Sequence, residues 1–306
     1  MGYSNWSNDA YANLSSSYAS KSTNDIFTSN KTRKADDSFT PDKITFRESR
    51  DSVEHPNSVA VAVFLDVTGS MGEIPEKMVR ENLGTLMNTL IKHEVNDAHV
   101  LFGAIGDHYS DRFPLQIGQF ETGTIELDQS LTKLYLEGGG GGTQQESYLL
   151  AWLFAARHTS IDCFEKRNQK GILFTIGDEK SHSKIEADKL KSLMGYTQAD
   201  TLTDEELLNE VKRMYHVFHI HINEASYKNN PNILNYWKNL LGERLIILDD
   251  HNRVAEIIAS TVAVIHGADL NNIISGFNPS VALTVKNALA KVDLSVSKTN
   301  DSVINL

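Results

Sequence analysis

The segment Asp66-Val67-Thr68-Gly69-Ser70 sets a carboxylate and two hydroxyls at alternate positions of one short turn. In a tight turn, three such groups can face one centre. Hard divalent cations take oxygen ligands of this kind, and Mg²⁺ holds about six of them, several usually water. The pattern is short, and Asp66 and Ser70 could equally cap a helix that starts just after it. Two distant segments add weight. Five glycines at 138–142 lead into Thr143; glycine allows positive φ and close backbone approach, so the run can deliver a hydroxyl into a crowded site, or it is only a flexible linker. Asp178 follows Gly177 at the end of an apolar run. Asp66, Thr68, Ser70, Thr143 and Asp178 are therefore the candidate ligands of one divalent cation. Mg²⁺ is the first choice, with Mn²⁺ or Ca²⁺ as alternatives.

The elements that must position these residues follow from hydrophobic patterning. Residues 59–65, Val-Ala-Val-Ala-Val-Phe-Leu, form a continuous β-prone run ending at Asp66. A run apolar on both faces suits a central parallel strand covered by helices on both sides. Further strands are predicted over 99–105, 115–120, 171–176, 215–222 and 244–248. Helical spacing predicts helices from Pro75 to His93 and over 125–136, 144–157, 184–194, 203–214 and 253–266, with another starting near Pro231. Thr203 and Glu206 fit a capping box. Alternating strands and helices imply an open, doubly wound, mostly parallel α/β sheet with right-handed connections. Ligands of such sheets bind at the carboxyl ends of the strands, and both Asp66 and Asp178 are expected there.

Residues 1–41 are rich in Ser, Asn, Asp and Lys without a periodic apolar face, which predicts a disordered tail. The α/β domain is expected over 42–267, and 268–306 reads as an extension with a helix capped by Asn278-Pro279. The net charge of −11 argues against nucleic acid or an anionic membrane surface as partner. Cys163 is the single cysteine, so disulfides within the chain and cysteine zinc sites are excluded. The start of the chain lacks the basic and apolar regions of a secretory signal, and no apolar run reaches the roughly 20 residues of a membrane span. A cytoplasmic protein is expected.

Other groups compete for attention. Asp107 and His108 follow a predicted strand that ends on the same edge; they can line the metal site, help a hydrolytic water, or merely end the strand. His219 and His221 share one face of a predicted strand that also carries His216. They suit Zn²⁺ with a third ligand, or a buried hydrogen-bonded role. His93-Glu94-Val95-Asn96-Asp97 lacks the second histidine of a zinc-protease motif, and the glycine run lacks the Lys-Ser or Lys-Thr of a phosphate loop.

Asp66-x-Thr68-x-Ser70, then Thr143, then Asp178, resembles the metal-ion-dependent adhesion site of von Willebrand factor A domains, over residues of about 58–267. Thr68 stands where that family usually has serine, and the five-glycine run is longer than most relatives carry. The stretch from Phe46 to Ser52, with Gly106-Asp107-His108, resembles stand-alone intracellular bacterial and phage members. The resemblance implies that the five residues hold the metal directly or through water, and that a partner's Asp or Glu completes the coordination. It also implies a non-enzymatic adaptor, with an AAA+ ATPase of the MoxR kind as a partner. The alternatives are a metal-assisted hydrolase using Asp107 or His108, and a virion or surface assembly component.

Overall fold

The computed structural model describes residues 4–139, 143–224 and 227–295. Its centre is a six-stranded sheet built from β1 (Val59–Asp66), β2 (Ala98–Ile105), β3 (Leu115–Glu121), β4 (Gly171–Gly177), β5 (Tyr215–Ile222) and β6 (Leu245–Leu248). Across the sheet the order is β6-β5-β4-β1-β2-β3. All neighbours are parallel except β2 and β3. The expected open, mostly parallel α/β fold is what the chain adopts. Strand order reverses between β1 and β4, and the crevice of such a sheet opens at that switch point.

Alternation along β1 builds two cores. Val59, Val61, Val63 and Leu65 enter one apolar cluster and Ala60, Ala62 and Phe64 the other, as a side-chain period of two requires. Counting helices of eight residues or more, the first face carries α1 (Asn8–Tyr18), α2 (Leu83–Lys92), α3 (Thr124–Thr132), α8 (Val254–Ile265) and α9 (Pro279–Leu289). The second carries α4 (Tyr148–Arg157), α5 (Ala187–Met194), α6 (Asp204–Val211) and α7 (Pro231–Leu241). Caps fall where the residue types ask for them: Thr203 and Glu206 form the expected box, and the Asn230 and Asn278 side chains accept from Asn232 N–H and Val281 N–H ahead of Pro231 and Pro279. The C-terminal helix α9 packs Val281, Val285 and Leu289 into the first core.

Several expectations need correction. From Ser4 onward, the segment expected to be a disordered tail is structured. It forms α1 and two short helices, and it buries Tyr18, Ile26, Phe27 and Phe39 against the first core. Its composition is polar, but these few aromatic and aliphatic side chains are enough to anchor it, and Tyr18 Oη donates to both Asp128 oxygens at 2.9 and 2.7 Å. The helix expected from Pro75 begins at Glu73 and passes through a π turn at Met78–Asn82 before α2. The helix expected over 144–157 starts only at Tyr148, because Gln145–Glu146 pair in parallel with Lys180–Ser181. Likewise Lys184–Ile185 form a short strand ahead of α5. No helix among the described residues is long and apolar enough to cross a membrane.

Candidate metal centre at the carboxyl edge of the sheet

β1 ends at Asp66 and β4 at Gly177, and the two strands run side by side in register up to Leu65 opposite Ile176. Asp66 leans over the end of β4. A Cβ on Gly177 would meet Tyr148 Oη and come within 2.9 Å of Asp66 Oδ2. Glycine is the residue that leaves room for this approach. Asp66 is 1% exposed. Its Oδ1 accepts from Thr68 N–H at 2.8 Å and from Thr68 Oγ1 at 2.6 Å, and its Oδ2 accepts from Tyr148 Oη at 3.1 Å.

Residues on either side of 140–142 contact the two loops at this edge. On one side Gly69 N–H donates to Gly139 O (2.7 Å) and Gly138 N–H to Val67 O (3.3 Å). On the other, Lys180 N–H donates to Gln144 O (3.3 Å) and His182 N–H to Glu146 O (3.1 Å). The segment between β3 and α4 is thus stitched to the loops after both β1 and β4. Gly69 and Gly138 take φ of +43° and +66°, which a side chain would resist.

Of the five expected ligands, Asp66 and Thr68 are in direct contact, and Asp178 directly follows the glycine packed against Asp66. Thr143 is exposed on the glycine loop and its hydroxyl donates to Gln145 O at 3.2 Å. It precedes a two-residue strand rather than opening a helix. Ser70 lies in the 3₁₀ turn Gly69–Gly72; its side chain, like residues 140–142, is outside what the structure describes.

The sequence reading missed Glu146, which the pairing of Gln145–Glu146 with Lys180–Ser181 carries into the pocket. Glu146 is 2% exposed, its Oε1 lies 3.1 Å from Thr68 Oγ1, and its Oε2 is buried with no partner. Glu179 joins the same edge. None of Asp66, Glu146, Asp178 and Glu179 forms an ion pair among the described residues. The electrostatic consequence is uniform. Burial raises all four acids, Asp178 to about 6, Glu179 to about 7, and Asp66 and Glu146 well above the ordinary carboxylate range. Repulsion from neighbouring carboxylates adds to it at Asp66, Glu146 and Glu179. Such crowding calls for protons or an external cation.

Next to this pocket, at the end of β2, lies a second group. Asp107, His108 and His182 are all buried, with ligand-type atoms within 4.8 Å of one another. His182 Nε2 is 2.8 Å from Asp107 Oδ1. Burial and the neighbouring His182 push His108 down to about 4. A third group, Glu224, Asp250 and His251, is half-buried, but Lys77 Nζ sits 3.2 Å from His251 Nε2 and supplies a cation of its own. The chain therefore carries side-chain clusters that could hold a metal ion. Among the described residues the strand histidines are not grouped with a third ligand-type side chain, although both ring nitrogens of His221 are buried without a partner. His219 stacks on Trp237 with ring centroids 3.6 Å apart and bonds Thr175 Oγ1 at 2.9 Å, whereas His216 bonds Arg244 at 3.1 Å. Cys163 is buried in the second core, which raises its thiol pKa.

The chain matches no protein-family model and no curated protein. Among solved structures it is similar to the open conformation of the pilus adhesin SpaC from Lactobacillus rhamnosus GG, at 9% identity and a TM-score of 0.44, over 76% of this chain and 31% of that one. It is also similar to proximal thread matrix protein 1 from the mussel byssus, at 9% identity and a TM-score of 0.43, over 66% of this chain and 46% of that one. The chain spans less than half the length of either protein.

Proposed function

We propose that the carboxyl edge holds one hard divalent cation, Mg²⁺ by preference, and that the loaded site docks an acidic side chain of a protein partner. In this reading the chain is a von Willebrand factor A-like adaptor, with Asp66, Thr68, Ser70, Thr143 and Asp178 as the holding residues. One observation carries it: four acids gather at the switch point, three of them buried, and none of them forms an ion pair among the described residues. The donor set is oxygen only, which fits Mg²⁺, Mn²⁺ or Ca²⁺. When bound, the ion supplies positive charge and an open coordination position for an incoming carboxylate.

The chain's own residues do the rest. Tyr148 and the Thr68 backbone N–H hold the Asp66 carboxylate in one orientation. The Thr68 hydroxyl now donates to Asp66 and can turn a lone pair outward instead. Glu146, raised by burial and then by Asp66, favours its protonated form. That matters for docking, because each ionised acid at the site weakens its pull on an acidic partner, and a protonated Glu146 removes one of those negative charges. A protonated Glu146 can also donate to Thr68 Oγ1. The cytoplasm and an AAA+ ATPase of the MoxR kind are the compartment and partner that the family likeness suggests.

The test is affinity capture from a native extract with the wild-type chain and Asp66→Ala, each with Mg²⁺ and with chelator. The proposal expects a partner held by the wild type with Mg²⁺ and lost in the other three conditions. Retention through chelation would refute metal-bridged docking.

A further inference from the structure

We propose that Asp107, His108 and His182 form a second metal site, of different chemistry from the oxygen pocket, that takes a Zn²⁺-class ion. The cluster combines two imidazoles and one carboxylate, each no more than 5% exposed, drawn from the loop after β2 and the loop after β4. Nitrogen-rich sets of this kind favour first-row transition ions over Mg²⁺.

Two further observations point to a ligand rather than to packing alone. His108 Nε2 is buried and has no hydrogen-bond partner, although its ring is 4.6 Å from that of His182. A buried polar atom without a partner destabilises the fold, and coordination would remove that cost. The other ring nitrogen is already fixed: His108 Nδ1 is 2.8 Å from Ser147 Oγ, which also accepts from His108 N–H at 2.8 Å. With Nδ1–H donating to Ser147, Nε2 presents its lone pair. Metal-binding histidines are usually oriented by a hydrogen bond of this type on the far nitrogen.

The remaining ligands are held as firmly. Tyr109 N–H donates to Asp107 Oδ1 at 3.0 Å, and Ser110 Oγ to Oδ2 at 3.2 Å. His182 is tied by its own N–H to Glu146 O. The His182 Nε2 to Asp107 Oδ1 separation of 2.8 Å is a hydrogen bond. Ligands on a tetrahedral Zn²⁺ with bonds of about 2.0–2.1 Å stand roughly 3.4 Å apart, so this pair must open by roughly half an ångström. The His182 proton then moves to Nδ1, and no net charge is created on either imidazole. Tyr109, about half exposed, covers the cluster with its ring 4.2 Å from His108 and 5.0 Å from His182. Three protein ligands leave a fourth position for water, beneath the Tyr109 ring, whose hydroxyl donates to Glu186 Oε2 at 2.8 Å.

The test uses the full chain with Zn²⁺, and with Co²⁺ as its coloured stand-in. X-ray absorption of the Zn²⁺-loaded wild type should show two imidazole ligands, and Co²⁺ should give the intense visible bands of a four-coordinate site. His108→Gln and His182→Gln should each weaken Co²⁺ binding at least tenfold, while Asp66→Asn leaves it within about threefold. An oxygen-only shell around Zn²⁺, or Co²⁺ spectra unchanged in both folded histidine variants, would overturn the proposal. The absorption measurement needs no variant and so stands even if a substitution prevents folding. Loss of Mg²⁺ binding in Asp66→Asn bears only on the oxygen pocket, so the two sites fail separately.

Discussion

Asp162 and Asp66 are each 1% exposed, yet they sit in opposite electrostatic worlds. Asp162 lies towards the amino ends of the strands, where Arg50 Nη1 approaches at 2.8 Å and Lys166 Nζ at 2.6 Å. Its neighbour Asp51 pairs with Arg167 Nη1 at 2.7 Å. Burial opposes ionisation at both, but the cations and hydrogen bonds win: Asp162 is lowered, and Asp51 falls to about 2. At the carboxyl ends, Asp66, Glu146, Asp178 and Glu179 have no ion-pair partner among the described residues, and all four are raised. One edge of the sheet carries its own counter-ions. The other is built as if its counter-ion came from outside.

The most disruptive way to probe this contrast is to close the gap over β4. Gly177→Ala pushes a methyl into Tyr148 Oη and Asp66 Oδ2; overpacking of this kind costs on the order of 1–3 kcal/mol. The variant should melt lower and bind Mg²⁺ at least tenfold more weakly. Unchanged binding would mean that the Asp66 position is not critical.

Acid-to-amide swaps compare the two edges directly. Asp162→Asn removes a charge that Arg50 and Lys166 hold, and because both cations are partly exposed the loss should be about 1–2 kcal/mol. Glu146→Gln removes a repelled acid and should leave the melting temperature in chelator unchanged or higher. Thermal melts of the two variants beside the wild type decide it. Equal losses would erase the distinction between the edges.

The pH response should also split. Acids raised in the folded state stabilise it only while protonated, so their contribution is lost as pH rises through the folded value. For Asp178 and Glu179, at about 6 and about 7, melts in chelator should decline between about pH 4 and 8, and saturating Mg²⁺ should flatten that decline. Asp51 behaves oppositely: lowered to about 2, it stabilises above its ordinary value near 4 and loses that contribution as pH falls towards 2. A chelated protein that gains stability from pH 6 to 8 would contradict this account. The gentlest probe is Thr68→Ser, which keeps the hydroxyl and should change Mg²⁺ affinity by no more than about twofold in calorimetry.

The fold was largely legible because β1, β2, β4 and β5 are long apolar runs whose period speaks for itself. Asp66 and Asp178 could be put on one edge for the same reason: each ends such a run. Glu146 and His182 could not. Both reach the site through the two-residue pairing of Gln145–Glu146 with Lys180–Ser181, a long-range contact with no local periodicity, and Glu146 was absorbed into an expected helix. The N-terminal segment misled in the opposite way. Its average composition is that of a solvated tail, and only the tertiary burial of Tyr18, Ile26, Phe27 and Phe39 reveals it as part of the domain.

The central claim is that the carboxyl edge takes its positive charge from a bound divalent cation. Isothermal calorimetry of the wild type and Asp66→Ala with Mg²⁺, after thorough chelation, tests it most directly. The wild type should show one saturable site and the variant none, with a Mg²⁺-dependent rise in melting temperature, of the kind ligand linkage requires, only in the wild type. Equal binding by both proteins, or no binding by a folded wild type, would contradict it.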